Sequence, residues 1–127
     1  MQLQFKNDLL YISVIIAYQE VKTEISNVLI DTGSATSIFS ADQVIKINLI
    51  PAPEDILYTI RGVGGNEVVF SRKVDYLLVG ERKETNFQIE VGGMDYGFEI
   101  QGILGMDFLT QAGAVIDLDK MELYFTD

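Results

Sequence analysis

One short stretch of the sequence could carry chemistry, because an apolar run ends in a carboxylate. Residues 28–30 are Val, Leu and Ile, and Asp31, Thr32, Gly33 and Ser34 follow directly. A carboxylate at the end of a buried strand is costly unless it is hydrogen-bonded, and the hydroxyls of Thr32 and Ser34 can donate to it. Gly33 lets the backbone turn sharply or lets a substrate approach closely. We therefore predict that Asp31 lies at a functional site.

The residue types that the chain lacks narrow this chemistry. The chain has no cysteine and no histidine, which excludes disulfides, thiol and Ser-His catalysis, and the commonest zinc sites. Carboxylates, hydroxyls and lysines remain as the groups that could carry out a reaction. We expect no metal and no cofactor. The 9 basic and 19 acidic residues give a formal charge of −10, and we therefore expect neither nucleic acid nor a membrane as a partner.

Length and hydropathy indicate one domain, spanning residues 1–127. A chain of 127 residues that is 48% hydrophobic is long enough for one core and too short for two ordinary domains. The apolar run at residues 9–18 falls well short of the roughly 20 residues that a membrane-spanning helix needs. It also lacks the cationic start and cleavage site of a signal peptide. We expect a cytoplasmic location.

Short β-prone runs separated by turn residues predict a mostly β chain. Residues 9–18 predict a buried strand, and a turn at Gln19 and Glu20 leads into a second strand over residues 21–30, which ends at Asp31. Further strands are predicted at residues 3–5, 37–39, 55–61, 67–70, 74–79, 85–91, 114–118 and 121–125. This pattern indicates a closed or sandwiched β domain.

Two short helices interrupt the predicted strands. Ser40 and Gln43 have the spacing of a capping box, in which each side chain bonds the backbone amide of the other residue. We therefore predict a helix from this point to about residue 47. A second helix is predicted over residues 106–112, where Gly113 stops it.

Glycines mark two further features. Residues 62–66, Gly-Val-Gly-Gly-Asn, predict a mobile hairpin tip between β-prone arms. Residues 103–105, Ile-Leu-Gly, faintly repeat the apolar run and glycine turn of residues 28–33. We interpret residues 103–105 and the helix after them as core.

Three motifs in this order resemble the retropepsin-like aspartic proteases, the single-domain relatives of pepsin. Asp-Thr-Gly-Ser at residues 31–34 matches the catalytic motif of that family. Gly62, Val63, Gly64 and Gly65 resemble its glycine-rich flap tip, and residues 103–111 resemble its second conserved turn and helix. The likeness covers roughly residues 21–118, and three ordered motifs in so short a chain are specific. It implies a closed, β-barrel-like acid protease fold with one or two short helices.

The resemblance also implies an activity, which is endopeptidase cleavage of a peptide or protein substrate. Two carboxylates that share one proton can activate water for amide hydrolysis without a metal or a thiol. This chain supplies one such aspartate, Asp31, so the resemblance implies a homodimer with the two copies on a two-fold axis. Thr32 would then lock the two loops together, and Gly33 would contact substrate. We further expect the Ser34 hydroxyl to donate to the outer oxygen of Asp31.

Two departures from the family pattern leave details open. Ser34 and Ala35 stand where many retroviral enzymes have alanine and then an acidic residue, so the substrate contacts of that acid are missing. The chain also continues beyond Leu118. The resemblance therefore leaves open whether the terminal sheet of the retroviral dimer or another interface joins the two copies.

Two other functions fit parts of the sequence. One is a catalytically silent, retropepsin-like module that dimerises or binds peptides. The other is a fragment of an actin-like or sugar-kinase-like ATPase, whose first phosphate loop residues 31–36 also resemble. That ATPase fold needs two large domains and a second phosphate loop, for which 127 residues are too few.

Overall fold

The computed structural model describes residues 1–62, 65–94 and 99–126, with the backbone alone at 60–62 and 65–67. Its strands are β1 (Gln4–Lys6), β2 (Leu9–Tyr18), β3 (Val21–Ile30), β4 (Ile38–Ser40), β5 (Tyr58–Gly62), β6 (Gly65–Val79), β7 (Arg82–Gly92), β8 (Gly102–Leu104), β9 (Ala114–Asp117) and β10 (Glu122–Phe125). Its α-helices are α1 (Ala41–Val44), which a 3-10 turn (Ile45–Ile47) extends, and α2 (Met106–Gln111). The prediction of a mostly β chain with short helices is confirmed.

Six of these strands form a closed ring. The main sheet runs in the order β1-β2-β3-β8-β4-β7-β6-β5, and a further pairing between β2 and β6 joins its two halves. The ring therefore consists of β2, β3, β8, β4, β7 and β6, with β1 and β5 added at its edges. Its interior holds large apolar side chains that are at most 2% exposed, among them Ile12, Ile25, Phe39, Ile89 and Phe108.

The hairpin of β2 and β3 carries the candidate site, and its predicted bounds are confirmed. Both strands are rich in Ile and Val, which pack well on a pleated, buried surface. Gln19 and Glu20 connect them and have φ angles of 49° and 70°, as a two-residue hairpin turn requires. The two strands pair antiparallel, with a register irregularity between Ile12 and Val14. This hairpin ends at Ile30, directly before Asp31.

Strand β6 differs from the prediction of two strands at residues 67–70 and 74–79. It runs without a break from Gly65 to Val79, because partners from elsewhere in the chain accommodate the charged residue in its middle, Arg72. The Arg72 guanidinium donates to Tyr18 Oη at 2.8 Å and to Asp55 Oδ2 at 2.5 Å. Partial burial alone would lower the pKa of Arg72, but these hydrogen bonds outweigh it and raise the pKa above its ordinary value.

The capping box predicted at Ser40 and Gln43 is wrong. Ser40 occupies the N-cap position of α1, but its side chain makes no capping hydrogen bond. Ser40 is also the last residue of β4 and is 6% exposed, and its backbone N–H donates to Gln101 O at 3.0 Å. The pairing of β4 thus fixes this residue. The second helix ends as predicted, with Gly113 at a φ of 67°.

The C-terminal hairpin, β9 with β10, forms a separate two-stranded sheet. The N-terminal segment lies beside it, since Leu3 N–H donates to Met121 O and Leu123 N–H donates to Met1 O, both at 2.8 Å. Leu3 and Leu123 are buried beneath these contacts. Along the described stretches, no helix combines the length and apolar character of a membrane span.

Candidate active site

The carboxylate of Asp31 stands where two parallel strands end together. Strand β3 pairs with β8 in the register Val28 to Gly102 and Ile30 to Leu104, and Asp31 N–H continues this ladder by donating to Leu104 O at 3.0 Å. The two copies of the faint sequence repeat therefore lie side by side. Next after Leu104 is Gly105, so the second copy offers a glycine where the first offers a carboxylate.

The loop after Asp31 fixes this carboxylate through a backbone donor. Gly33 N–H donates to Asp31 Oδ1 at 2.8 Å, and Ser34 N–H donates to Asp31 O at 3.1 Å. A Cβ on Gly33 would lie 3.1 Å from Asp31 Oδ1, so a side chain there would crowd the carboxylate. Asp31 is partly exposed and Thr32 is exposed, which leaves both side chains accessible to a substrate or a partner.

The expected hydrogen bond from Ser34 to Asp31 is not formed. The Ser34 hydroxyl instead donates to Thr36 O at 2.7 Å. This contact lies within the loop and closes a short turn, as serine hydroxyls commonly do. Ser34 thus stabilises the conformation of the loop and does not orient the Asp31 carboxylate.

Helix α2 and the residue before it contact the backbone of the loop that follows Asp31. Met106 N–H donates to Ser34 O at 2.8 Å, and Asp107 N–H donates to Ala35 O at 3.2 Å. A Cβ on Gly105 would lie 2.3 Å from Thr36 O, a separation that a side chain cannot adopt. Gly105 is therefore required because the loop after Asp31 passes directly over it.

A pair of side chains, the buried Ser37 and the partly buried Asp107, completes this support and was missed in the sequence. Ser37 is fully buried, and its hydroxyl donates to Asp107 Oδ1 at 2.7 Å and accepts from Gly105 N–H at 2.9 Å. Ser37 N–H donates to Asp107 Oδ2 at 3.1 Å. The signal in the sequence was an acidic residue in the first turn of a helix that was interpreted as core.

Comparison with known proteins agrees with this geometry. A family model described as aspartyl protease matches residues 18–108 of the 127. The chain belongs to the aspartyl protease family. No curated protein sequence matches it.

A solved relative defines the fold of this family member. The chain is similar to the crystal structure of a retropepsin-like aspartic protease from Rickettsia conorii, with a TM-score of 0.62 and 18% sequence identity. The match covers 92% of this chain and 81% of that one. The predicted retropepsin fold is therefore confirmed, and this mostly β architecture excludes the ATPase alternative.

The hairpin that corresponds to the predicted flap is formed by β5 and β6. The two strands pair antiparallel from Tyr58 with Val69 to Gly62 with Gly65, so the predicted arms come together in this member of the protease family. Val63 and Gly64 lie outside the described residues. The role of Gly62, Val63, Gly64 and Gly65 in contacting substrate stays a prediction.

The described residues of this chain offer no metal cage. Among those residues, no group of three or more Asp and Glu side chains converges as metal ligands would. A carboxylate held at an open strand end can act on water or on a substrate carbonyl.

Proposed function

We propose that the protein is an aspartic endopeptidase that hydrolyses peptide bonds as a homodimer, with water activated between two Asp31 carboxylates. The observation that carries this proposal is the position of Asp31. Its carboxylate is oriented by Gly33 N–H at 2.8 Å and stands at an accessible strand end in a chain with the aspartyl protease fold.

The orientation of Asp31 suits a shared-proton mechanism. Gly33 N–H engages Oδ1, and no hydrogen bond from the other described residues occupies Oδ2, which can face a water molecule. One carboxylate of the pair would take a proton from that water while the other, protonated, would hydrogen-bond the scissile carbonyl oxygen. Water then adds to the carbonyl carbon, and the tetrahedral intermediate collapses with proton transfer to the leaving amine. No covalent enzyme intermediate forms.

The paired strand ends support a site built from two chains. Gly105, the residue after β8, lies opposite Asp31, so the repeat within the chain brings no second carboxylate. A second copy related by a two-fold axis beside Asp31 would bring one. The exposed Thr32 would then face its counterpart and hydrogen-bond across the axis.

A groove beside Thr32 is a suitable surface for this second copy. It has a volume of about 370 Å³ and is lined by Thr32, helix α2 and the start of β9, including Met106, Leu109 and Ile116. Apolar lining next to the residue that would lie on the axis supports a dimer interface at this face. The N-terminal segment pairs with its own chain's C-terminal hairpin, so we propose this groove rather than interleaved termini as the dimer contact.

Replacing Asp31 tests the proposal directly. Asp31→Asn keeps the side-chain size and removes the base, so kcat/KM on a cleaved peptide should fall by at least about 10²–10⁴-fold. Thermal stability should change little. The matched control is Asp42→Asn, an exposed carboxylate on α1, which should keep full activity and full inhibition by a statine-type compound.

Two results would reject the proposal. One is cleavage by pure Asp31→Asn protein at the parental rate. The other is the lack of any inhibitable cleavage of a peptide library between pH 4 and 7 by a correctly folded parent, which would favour the silent, retropepsin-like module that binds peptides or dimerises. From the sequence we also propose a single domain over residues 1–127 and a cytoplasmic location.

A further inference from the structure

A polar cavity of about 290 Å³ lies beside the active-site loop, away from Asp31 along the chain. Thr36, at the end of that loop, forms one wall, and Tyr58 and Ser71 at the base of the β5–β6 hairpin form another. Tyr58 Oη and Ser71 Oγ are hydrogen-bonded at 2.8 Å. The cavity therefore lies between the two elements that would enclose a substrate, the catalytic loop and the flap hairpin.

Strand β7 supplies the floor of this cavity. Asn86, Gln88 and Glu90 alternate along the strand and all line the cavity, because residues two apart point to the same face of a sheet. Asn86 and Gln88 are exposed, whereas Glu90 is only 6% exposed. The cavity thus has an open amide-lined mouth and a carboxylate at its buried end.

The carboxylate of Glu90 has few partners for a buried acid. Thr36 Oγ1 donates to its Oε1. Among the described residues, no other hydrogen bond and no salt bridge reaches this carboxylate, and the one ion pair present joins Arg72 to Asp55. Buried carboxylates are normally paired with a cation or with several donors. No buried polar side-chain atom among the described residues lacks a partner, so the second oxygen of Glu90 is accessible and can bind a group that enters the cavity.

The other acid of the cavity, Asp107, differs from Glu90 in having several hydrogen-bond donors around its carboxylate. Its carboxylate accepts from the hydroxyl and the N–H of Ser37 and from its neighbour Phe108 N–H at 2.7 Å. These donors already satisfy it, and they fix it beneath the active-site loop. Glu90 is the acid that is left to recognise a ligand, while Asp107 adds negative potential to the same cavity.

We propose that this cavity is a substrate subsite that takes a lysine or arginine side chain, with Glu90 as its specificity-determining carboxylate. A cationic head would form a charge-assisted pair with Glu90 at the buried end. The hydroxyl and amide oxygens of Tyr58 and Gln88 would accept its remaining N–H groups. The volume lies at the lower limit of small-molecule sites, which suits one side chain. The formal charge of −10 further attracts basic peptides.

The inference rests on the proposed protease function, and it places the basic residue away from the scissile bond. Neither Asp31 nor residues 32–34 line the cavity, so a side chain in the cavity belongs to a substrate residue that does not directly flank the cleaved bond. Recognition of this residue would raise kcat/KM for basic peptides without altering the chemistry at Asp31.

A paired peptide series tests the subsite. Each position around a cleaved bond is occupied in turn by lysine or by norleucine, its neutral counterpart, and kcat/KM is measured at low ionic strength. At one position lysine should exceed norleucine by at least about tenfold. In Glu90→Gln, which keeps an oxygen to accept from Thr36, this preference should disappear. The control Glu81→Gln, an exposed carboxylate, should retain it.

A second measurement needs no protease activity. Titration of n-butylammonium into isotopically labelled protein should give saturable amide shifts at Asn86, Gln88 and Glu90. Binding should be at least about tenfold weaker for n-butanol or for the Glu90→Gln protein. No saturable shift at these residues, or equal binding by Glu90→Gln, would overturn the subsite.

The two experiments separate the two proposals. If lysine and norleucine peptides are cleaved equally at every position, or Glu90→Gln keeps the preference, the subsite is wrong and the protease proposal stands. If the amine binds at Glu90 while no peptide is cleaved, the protease proposal is wrong and the cation-binding cavity stands.

Discussion

Removing the Ser37 hydroxyl should destabilise the protein more than an ordinary serine substitution does. In Ser37→Ala, the buried Gly105 N–H loses its acceptor at 2.9 Å, and Asp107 loses one of its donors. An unsatisfied buried N–H costs about 1–3 kcal/mol, and the lost hydrogen bond about 1 kcal/mol more. We therefore expect a loss of about 2–4 kcal/mol in the free energy of unfolding, or roughly 8–16 °C in Tm for a chain of this length.

The assay is thermal and urea unfolding of parent and variant at one fixed protein concentration, since dimerisation would make Tm concentration-dependent. Ser26→Ala is the matched control, because Ser26 is exposed on β3 and surface changes usually stay within about 0.5 kcal/mol. The support assigned to Ser37 is refuted if the Tm of Ser37→Ala lies within 2 °C of the Ser26→Ala value, a threshold of roughly 0.5 kcal/mol on the same scale.

Three further predictions concern assembly and the loop. Thr32→Ala should weaken the dimer by roughly 5–150-fold, the equivalent of about 1–3 kcal/mol lost from two symmetric hydrogen bonds; sedimentation that matches an exposed Thr85→Ala control would contradict this. Ser34→Ala should leave the acid limb of the pH-rate profile in place and cost about 1 kcal/mol of stability, because its hydroxyl bonds Thr36 O; an upward shift of that limb would mean that it acts on Asp31 instead. Each subunit has a formal charge of −10, so a dimer carries 2 × −10 = −20 and its subunits repel each other. The concentration below which the dimer dissociates should therefore be higher at pH 8 in low salt than at pH 5 or in high salt. Below that concentration the cleavage rate should fall as the square of the protein concentration. A rate proportional to protein concentration in a monomeric sample would contradict the two-chain site.

The sequence was sufficient where apolar pattern and turn chemistry decide the structure. Strands β2 and β3 are long runs of branched residues bounded by turn positions, and their limits were predicted to the residue. Gly113 stopped α2 as predicted. The position of Asp31 at a strand end followed from the same pattern, because local residues set the end of β3.

The sequence was insufficient where partners distant in the chain decide. The predicted strands at residues 67–70 and 74–79 left Arg72 between them, yet Asp55 and Tyr18 satisfy its charge within a continuous strand. Ser34 had two acceptors within reach, and spacing could not choose between them. Glu90 was not singled out in the sequence, because the cavity around it is assembled from five separate segments of the chain.

The unequal pairing along β6 divides this strand into two parts that should exchange amide hydrogens at different rates. Residues Val69 to Val79 pair with β7, and the last pair, Val69 with Gly92, is so close that a Cβ on Gly92 would lie 2.7 Å from Val69 Cγ1. From Gly65 to Val68 the strand pairs, among the described strands, with β5 alone. Two-stranded segments open more readily than central ones. Opening of the hairpin should therefore pivot at Val69, and protection against exchange should rise sharply from Val68 into the ring.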